Sequence, residues 1–189
     1  MGNCGRQLFG VHGADTAIVI KIENLIMPNE ASLIDYYAKR ANEYERIYQK
    51  PERQADMAAL RKLCAQSLAG EDVLAKDNFT AGMAMHWWSH LRKSEIENFL
   101  DGYHRVFRPG ALLVFMDNRF VGGSSTPISR TDNEGNTYQL RRLEDGTEHE
   151  VLKNFPSENE IKKVLAGFAT EIRWTELPYY WFLTYRLKP

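Results

Sequence analysis

Apolar positions along this chain change rhythm several times, and each change marks an element. From Ser32 they recur three and four residues apart, at Leu33, Tyr36, Tyr37, Ala41, Tyr44, Ile47 and Tyr48. That spacing places them on one face of a helix. Pro51 ends the pattern and can open a second helix at its first turn. Met57, Leu60, Cys64 and Leu68 then share a stripe, and Gly70 offers a stop. Upstream, Thr16–Ile22 is a short β-branched run that predicts a strand. The residues before it are glycine-rich and aperiodic, as expected of a terminal arm.

Beyond residue 78 the runs shorten. Phe79–Met85 predicts a buried strand. Ser94 and Glu97 have the spacing of a capping box, ahead of a helix bearing Ile96, Phe99, Leu100, Tyr103, Val106 and Phe107. Arg108-Pro109-Gly110 predicts a turn. Ala111–Met116 is continuously apolar and stops at Asp117, the pattern of a strand covered on both faces. Thr137–Leu143 and Thr147–Leu152 flank Glu144-Asp145-Gly146, which predicts a hairpin. Ser157 and Glu160 form a second capping box, for a helix running to about Ala166. Glu171–Leu177 and Tyr180–Leu187 close the chain as a strand pair turning near Pro178. The order predicts an α/β fold with one sheet, Phe79–Met85 and Ala111–Met116 parallel and the last two strands antiparallel.

Composition narrows the function classes. A chain of 189 residues suits one domain. Its 24 basic and 25 acidic residues nearly cancel, which gives no electrostatic case for nucleic acid or an anionic membrane. No run approaches the roughly 18 apolar residues of a membrane span. Two cysteines, Cys4 and Cys64, make neither a disulfide framework nor a metal pattern, so a cytoplasmic location is expected. The start, Met1-Gly2-Asn3-Cys4-Gly5-Arg6, is that of an N-myristoylation site except that Arg6 stands where Ser or Thr is required. His86, His90, His104 and His149 have no acidic partner at ligand spacing, so no metal is expected.

Several segments together resemble class I S-adenosylmethionine-dependent methyltransferases. They are Trp87-Trp88-Ser89-His90, Phe107-Arg108-Pro109-Gly110-Ala111, Asp117-Asn118-Arg119 and Asn154-Phe155-Pro156-Ser157. From about Ile34 to Pro189 the order of elements is similar to that family, with one interruption. In the family, Val73-Leu74 would open the first strand and a Gly-rich loop would follow. Here Ala75-Lys76-Asp77-Asn78 follows, and the chain resumes at what resembles the fourth strand. Three strands and their helices need roughly 50 to 60 residues. About a dozen lie between Leu74 and Trp87, and no G-x-G or G-K-[ST] occurs anywhere.

The resemblance implies a truncated Rossmann-like methyltransferase sheet over residues 31–189, with flanking helices and an inserted hairpin, and residues 1–30 as an arm with one possible strand. It implies S-adenosylmethionine as cofactor, with binding weak or lost because the Gly-rich loop is missing. It leaves the enzyme question open between two alternatives: methyl transfer to a small-molecule acceptor, or a non-catalytic interaction module built on the residual sheet. Candidate residues follow from position. His90, with a pKa near neutrality, suits a general base. Trp87, Trp88, Asp117, Asn118 and Arg119 lie at the carboxyl edge of the sheet, where acceptors bind. Tyr36, Tyr37 and Tyr44 lie on the helix that lids the cofactor in the family. Each has a plainer alternative: strand-end packing for the tryptophans, a capped loop for Asp117, an amphipathic stripe for the tyrosines. A first strand cut short also leaves Phe79–Met85 at a sheet edge, which predicts a homodimer paired there.

Overall fold

The computed structural model describes residues 36, 39, 40, 50–71 and 79–189. The expected strand at Thr16–Ile22, most of the first helix with Tyr37 and Tyr44, and the Val73–Asn78 junction lie outside the described residues.

Pro51–Arg53 forms a 3-10 turn that leads directly into helix α1, Gln54–Leu68. Proline suits the first turn because its missing N–H has no intrahelical partner there. Gly70, at φ +84°, takes the left-handed conformation that ends helices without a Cβ penalty. Four strands follow in one sheet, in the order β1-β2-β7-β6: β1 is Phe79–Met85, β2 Phe107–Asn118, β6 Ala169–Glu176 and β7 Tyr180–Leu187. β1 and β2 are parallel, and β7 is antiparallel to both β2 and β6, as the sequence predicts.

Helices cover both faces, which is why β2 is apolar without alternation. Leu113 and Phe115 face one side and join Trp88, Leu91, Trp181, Leu183 and Tyr185. Helices α2, Ile96–His104, and α3, Glu158–Leu165, complete that core through Phe99, Leu100, Ile161 and Leu165. Val114 and Met116 face the other side, against Leu60 of α1, Tyr180 and Phe182. A three-stranded sheet stands apart from this one: β3, Arg130–Thr131, then β4, Thr137–Arg142, and β5, Glu148–Leu152.

Two expectations are corrected. Ser94 and Glu97 make no capping box. The chain enters α2 through a 3-10 turn at Lys93–Glu95, Glu95 stands at the N-cap without a side-chain bond, and the Ser94 hydroxyl donates to Glu134 at 2.8 Å. Arg108–Gly110 is not a separate turn but the opening of β2, where Phe107 pairs with Phe79 and the register shifts before Ala81 pairs with Leu112. The second capping box is present, with the Ser157 and Glu160 side chains each bonded to the other's backbone.

Candidate functional site

The chain leaves β1 through His86, at φ +57°, while its N–H donates to the Met116 carbonyl at 2.8 Å. A left-handed residue bends the chain sharply. Trp87 therefore points outward and Trp88 turns into the core against Phe115 and Trp181. The following 3-10 turn, Trp88–His90, brings Ser89 over the end of β2.

There Asp117 is fully buried and fully used. Oδ2 accepts from the Ser89 N–H at 2.9 Å, and Oδ1 from the Asn118 N–H at 2.7 Å and from Lys153 Nζ at 3.2 Å. His86 Nδ1 lies 3.8 Å from Oδ1. Burial alone would raise this carboxyl, but Lys153 and His86 outweigh it and hold it well below the ordinary range. Lys153, 4% exposed, also donates to Ser89 Oγ at 2.5 Å. Burial lowers its ammonium pKa, and Arg141 adds to this against the pull of Asp117.

His90 joins the site through Nδ1, which lies 2.9 Å from the Leu152 carbonyl. A carbonyl only accepts, so Nδ1 carries the proton and Nε2 the lone pair. Burial, followed by the Lys153 charge, lowers the His90 pKa to about 3, so the ring is neutral at pH 7.

The hairpin β4–β5 carries an inverted pattern toward this site. Its Leu140 is 49% exposed, while Gln139 is buried and Arg141 half-buried. Arg141 Nη2 donates to Gln139 Oε1 at 2.7 Å and Nη1 to the Tyr36 hydroxyl at 3.4 Å, and its buried Nε has no partner. Tyr36 is itself buried against Leu143 and Val151, and its hydroxyl also accepts from Arg40 at 2.7 Å. Arg141 thus stands near enough to Lys153 and His90 for its charge to lower both, and among the described residues no carboxylate is in ion-pair contact with it.

Asn154 fixes the hairpin to the strand ends. Its N–H donates to Ser89 O at 2.7 Å, its Nδ2 to Leu91 O at 2.8 Å, and its Oδ1 accepts from Thr137 N at 2.8 Å.

Of the residues expected from sequence, His90, Asp117 and Tyr36 converge on this site. Asn118 contributes its backbone N–H. Arg119 turns away, bonded to Leu177 O at 2.7 Å and paired with Glu176 at 2.5 Å. Trp88 belongs to the core. Ser89, Gln139, Arg141, Lys153 and Asn154 were not singled out as site residues. The inverted polarity of β4 is the sequence signal that could have revealed two of them. Among the described residues no three His, Cys, Asp or Glu side chains are grouped as metal ligands. No described helix is long and apolar enough to cross a membrane.

α1 ends at Leu68 and β1 begins at Phe79, so residues 69–78 alone join them. One strand-helix-strand unit takes roughly 30 residues or more.

No protein-family profile and no curated protein matches this chain. Solved structures do. A structure named as the DhpI–SAH complex superposes with a TM-score of 0.62 at 20% identity, over 84% of this chain and 96% of that one. A structure named as the DhpI–SAM–HEP complex gives 0.61 at 19% identity, over 82% and 96%. With its parallel β1–β2 pair, antiparallel β7 and β6 and helices on both faces, the chain has a class I S-adenosylmethionine-dependent methyltransferase-like fold.

Proposed function

We propose that this chain is the acceptor-binding part of a class I methyltransferase fold, and that it takes a small anionic molecule at the Lys153–Arg141 site. One observation carries the reading: among the described residues no carboxylate is in ion-pair contact with the half-buried Arg141 guanidinium, whose charge reaches buried Lys153 and whose buried Nε has no hydrogen-bond partner there. Buried donors are normally satisfied, and an unmet guanidinium N–H beside a second cation suits an oxyanion. Asp117 neutralises Lys153, and no described carboxylate does the same for Arg141. Burial keeps the His90 ring neutral, with a pKa of about 3, so it adds no charge to the site.

Methyl transfer by this chain is left out of the reading, because residues 69–78 are too few for the strand-helix unit that holds the donor in the family. Calorimetry tests both halves. Methyl phosphate binds, and Arg141→Gln abolishes its binding. S-adenosylmethionine binds no tighter than about 1 mM, a free energy of about −4 kcal/mol. A micromolar S-adenosylmethionine site would overturn the truncated reading and restore the enzyme.

A second reading, a homodimer, is favoured by one observation: β1 is the outer strand of the described sheet. Such edges recruit further strands. Light scattering should find a dimer at tens of micromolar, and a clean monomer would remove this reading.

A further inference from the structure

A groove of about 540 Å³ lies between α2, α3, the loop after β2 and the turn before β4. That volume falls within the range of small-molecule sites, about 300–1,000 Å³. Neither Arg141 nor Lys153 lines it, so it is separate from the anion site. The groove grades from closed to open. Trp88 and Ile161 at its floor are each 1% exposed, whereas Phe120 and Ile128 at its lip are 43% and 39% exposed. Large apolar side chains left in water around one concavity mark a binding surface.

Hydrogen bonds set the walls before a ligand arrives. Asn154 Nδ2 donates to Leu91 O at 2.8 Å and to Asn136 Oδ1 at 3.1 Å. Asn136 Oδ1 also accepts from the Lys93 N–H at 2.8 Å. These bonds join the entry to α2, the turn before β4 and the segment after β5. The Ser157–Glu160 capping box fixes the start of α3. A preformed site spares its ligand the cost of ordering loops.

Three aromatic side chains, Trp88, Phe120 and Phe155, border the groove, and Phe120 meets Phe155 edge-on at 5.4 Å. Flat rings gain from such edge and face contacts beyond the apolar area they bury. The polar groups inside are already used. The Thr137 N–H donates to Asn154 Oδ1 at 2.8 Å and its hydroxyl to Lys153 O at 2.5 Å. At the rim stand two lysines, Lys93 and Lys163, and two glutamates, Glu97 and Glu160, and Lys93 pairs with Glu160 at 3.4 Å. These charges cancel. An ionic ligand would lose hydration there and gain no net attraction.

We infer that this groove binds an uncharged, bicyclic aromatic molecule, held by ring contacts and apolar burial rather than by hydrogen bonds. The inference does not depend on the anion reading.

Calorimetry with 2-naphthol tests it. A neutral ligand of that size should bind with a Kd on the order of 100 µM. 2-Naphthoate and 2-naphthylmethylammonium carry the same rings with a negative or a positive charge, and should bind no tighter. Decahydro-2-naphthol keeps the skeleton and hydroxyl but has no π face, and should bind about threefold more weakly or worse. Phe120→Leu keeps apolar area and removes one ring, which should weaken 2-naphthol by about two- to tenfold. Phe120→Ser/Ile128→Ser alters two exposed side chains and should weaken it by about tenfold. No heat from 2-naphthol at millimolar concentration overturns the inference. A charged naphthalene that binds tighter than 2-naphthol overturns the uncharged class. Decahydro-2-naphthol binding as tightly as 2-naphthol overturns the aromatic class. Undiminished 2-naphthol binding in a double variant with the wild-type melting point puts the ligand elsewhere and overturns the site. The ligand series is read on the wild type, so it needs no variant to fold.

Discussion

Replacing Lys153 with Met isolates what the Asp117–Lys153 pair does. The substitution keeps most of the side-chain volume and removes the ammonium. Asp117 would retain the Ser89 and Asn118 N–H groups but lose its cation at 3.2 Å. With an effective dielectric near 20, two charges at that distance attract by about 5 kcal/mol. Desolvation of both groups offsets much of this in the wild type, so the pair itself contributes little net stability. Breaking it is another matter, because a buried carboxylate is left uncompensated, at a cost of about 3–5 kcal/mol. For a chain of this size that corresponds to a melting point lowered by about 6–20 °C. Asp117→Asn should be costly for the mirror reason, leaving Lys153 as a buried cation. The double variant should therefore be more stable than the sum of the single losses, by more than about 1 kcal/mol. Urea unfolding reads all four proteins, and an unchanged slope with a lowered midpoint confirms a loss of stability alone. A Lys153→Met cost below about 1 kcal/mol would refute the reasoning, and so would additivity within about 0.5 kcal/mol.

Two more predictions follow from particular contacts. A methyl group on Gly82 would overlap the Phe107 ring and lie 3.0 Å from the Tyr103 hydroxyl. Gly82→Ala should therefore cost about 1–3 kcal/mol in a thermal melt, and an unchanged melting point would disprove the close approach. His90 titrates at about 3 in the folded chain against 6.5 unfolded, so between these values the unfolded state binds the extra proton. Stability is then fully present above pH 6.5 and declines as pH falls toward 3, by about 2 kcal/mol at pH 5. His90→Asn should flatten that slope, and an equal slope in wild type and variant would exclude His90 as its source.

The main sheet was legible because its signal is local. An uninterrupted apolar run at Ala111–Met116 admits little besides a strand covered on both faces, and Ser157 with Glu160 states a helix start within four residues. Ser94 and Glu97 carry the same spacing but fail, because Lys93 N–H donates to Asn136 at 2.8 Å and Ser94 turns to Glu134. A tertiary bond outcompeted the local cap. The candidate site was half legible. His90 and Asp117 follow strands and so lie at the sheet edge by position. Lys153 and Arg141 reach it from the inserted hairpin, whose placement depends on Asn154 and on no periodicity in the sequence. A lysine after a short strand is indistinguishable from a solvated one until the fold closes over it.

The left-handed turn at His86 also sorts the chain's indole rings by environment. Trp87 stays 37% exposed, with the Phe99 ring at 6.4 Å, whereas Trp88 and Trp181 are enclosed, and Trp181 lies stacked on Trp174 at 5.0 Å. Native emission is therefore a sum of two populations, one red and open to collisional quenchers, the other blue and shielded. Acrylamide removes the first without disturbing the second. The shielded part, to which Trp88, Trp174 and Trp181 all contribute, is an optical gauge of the packed core that needs no label.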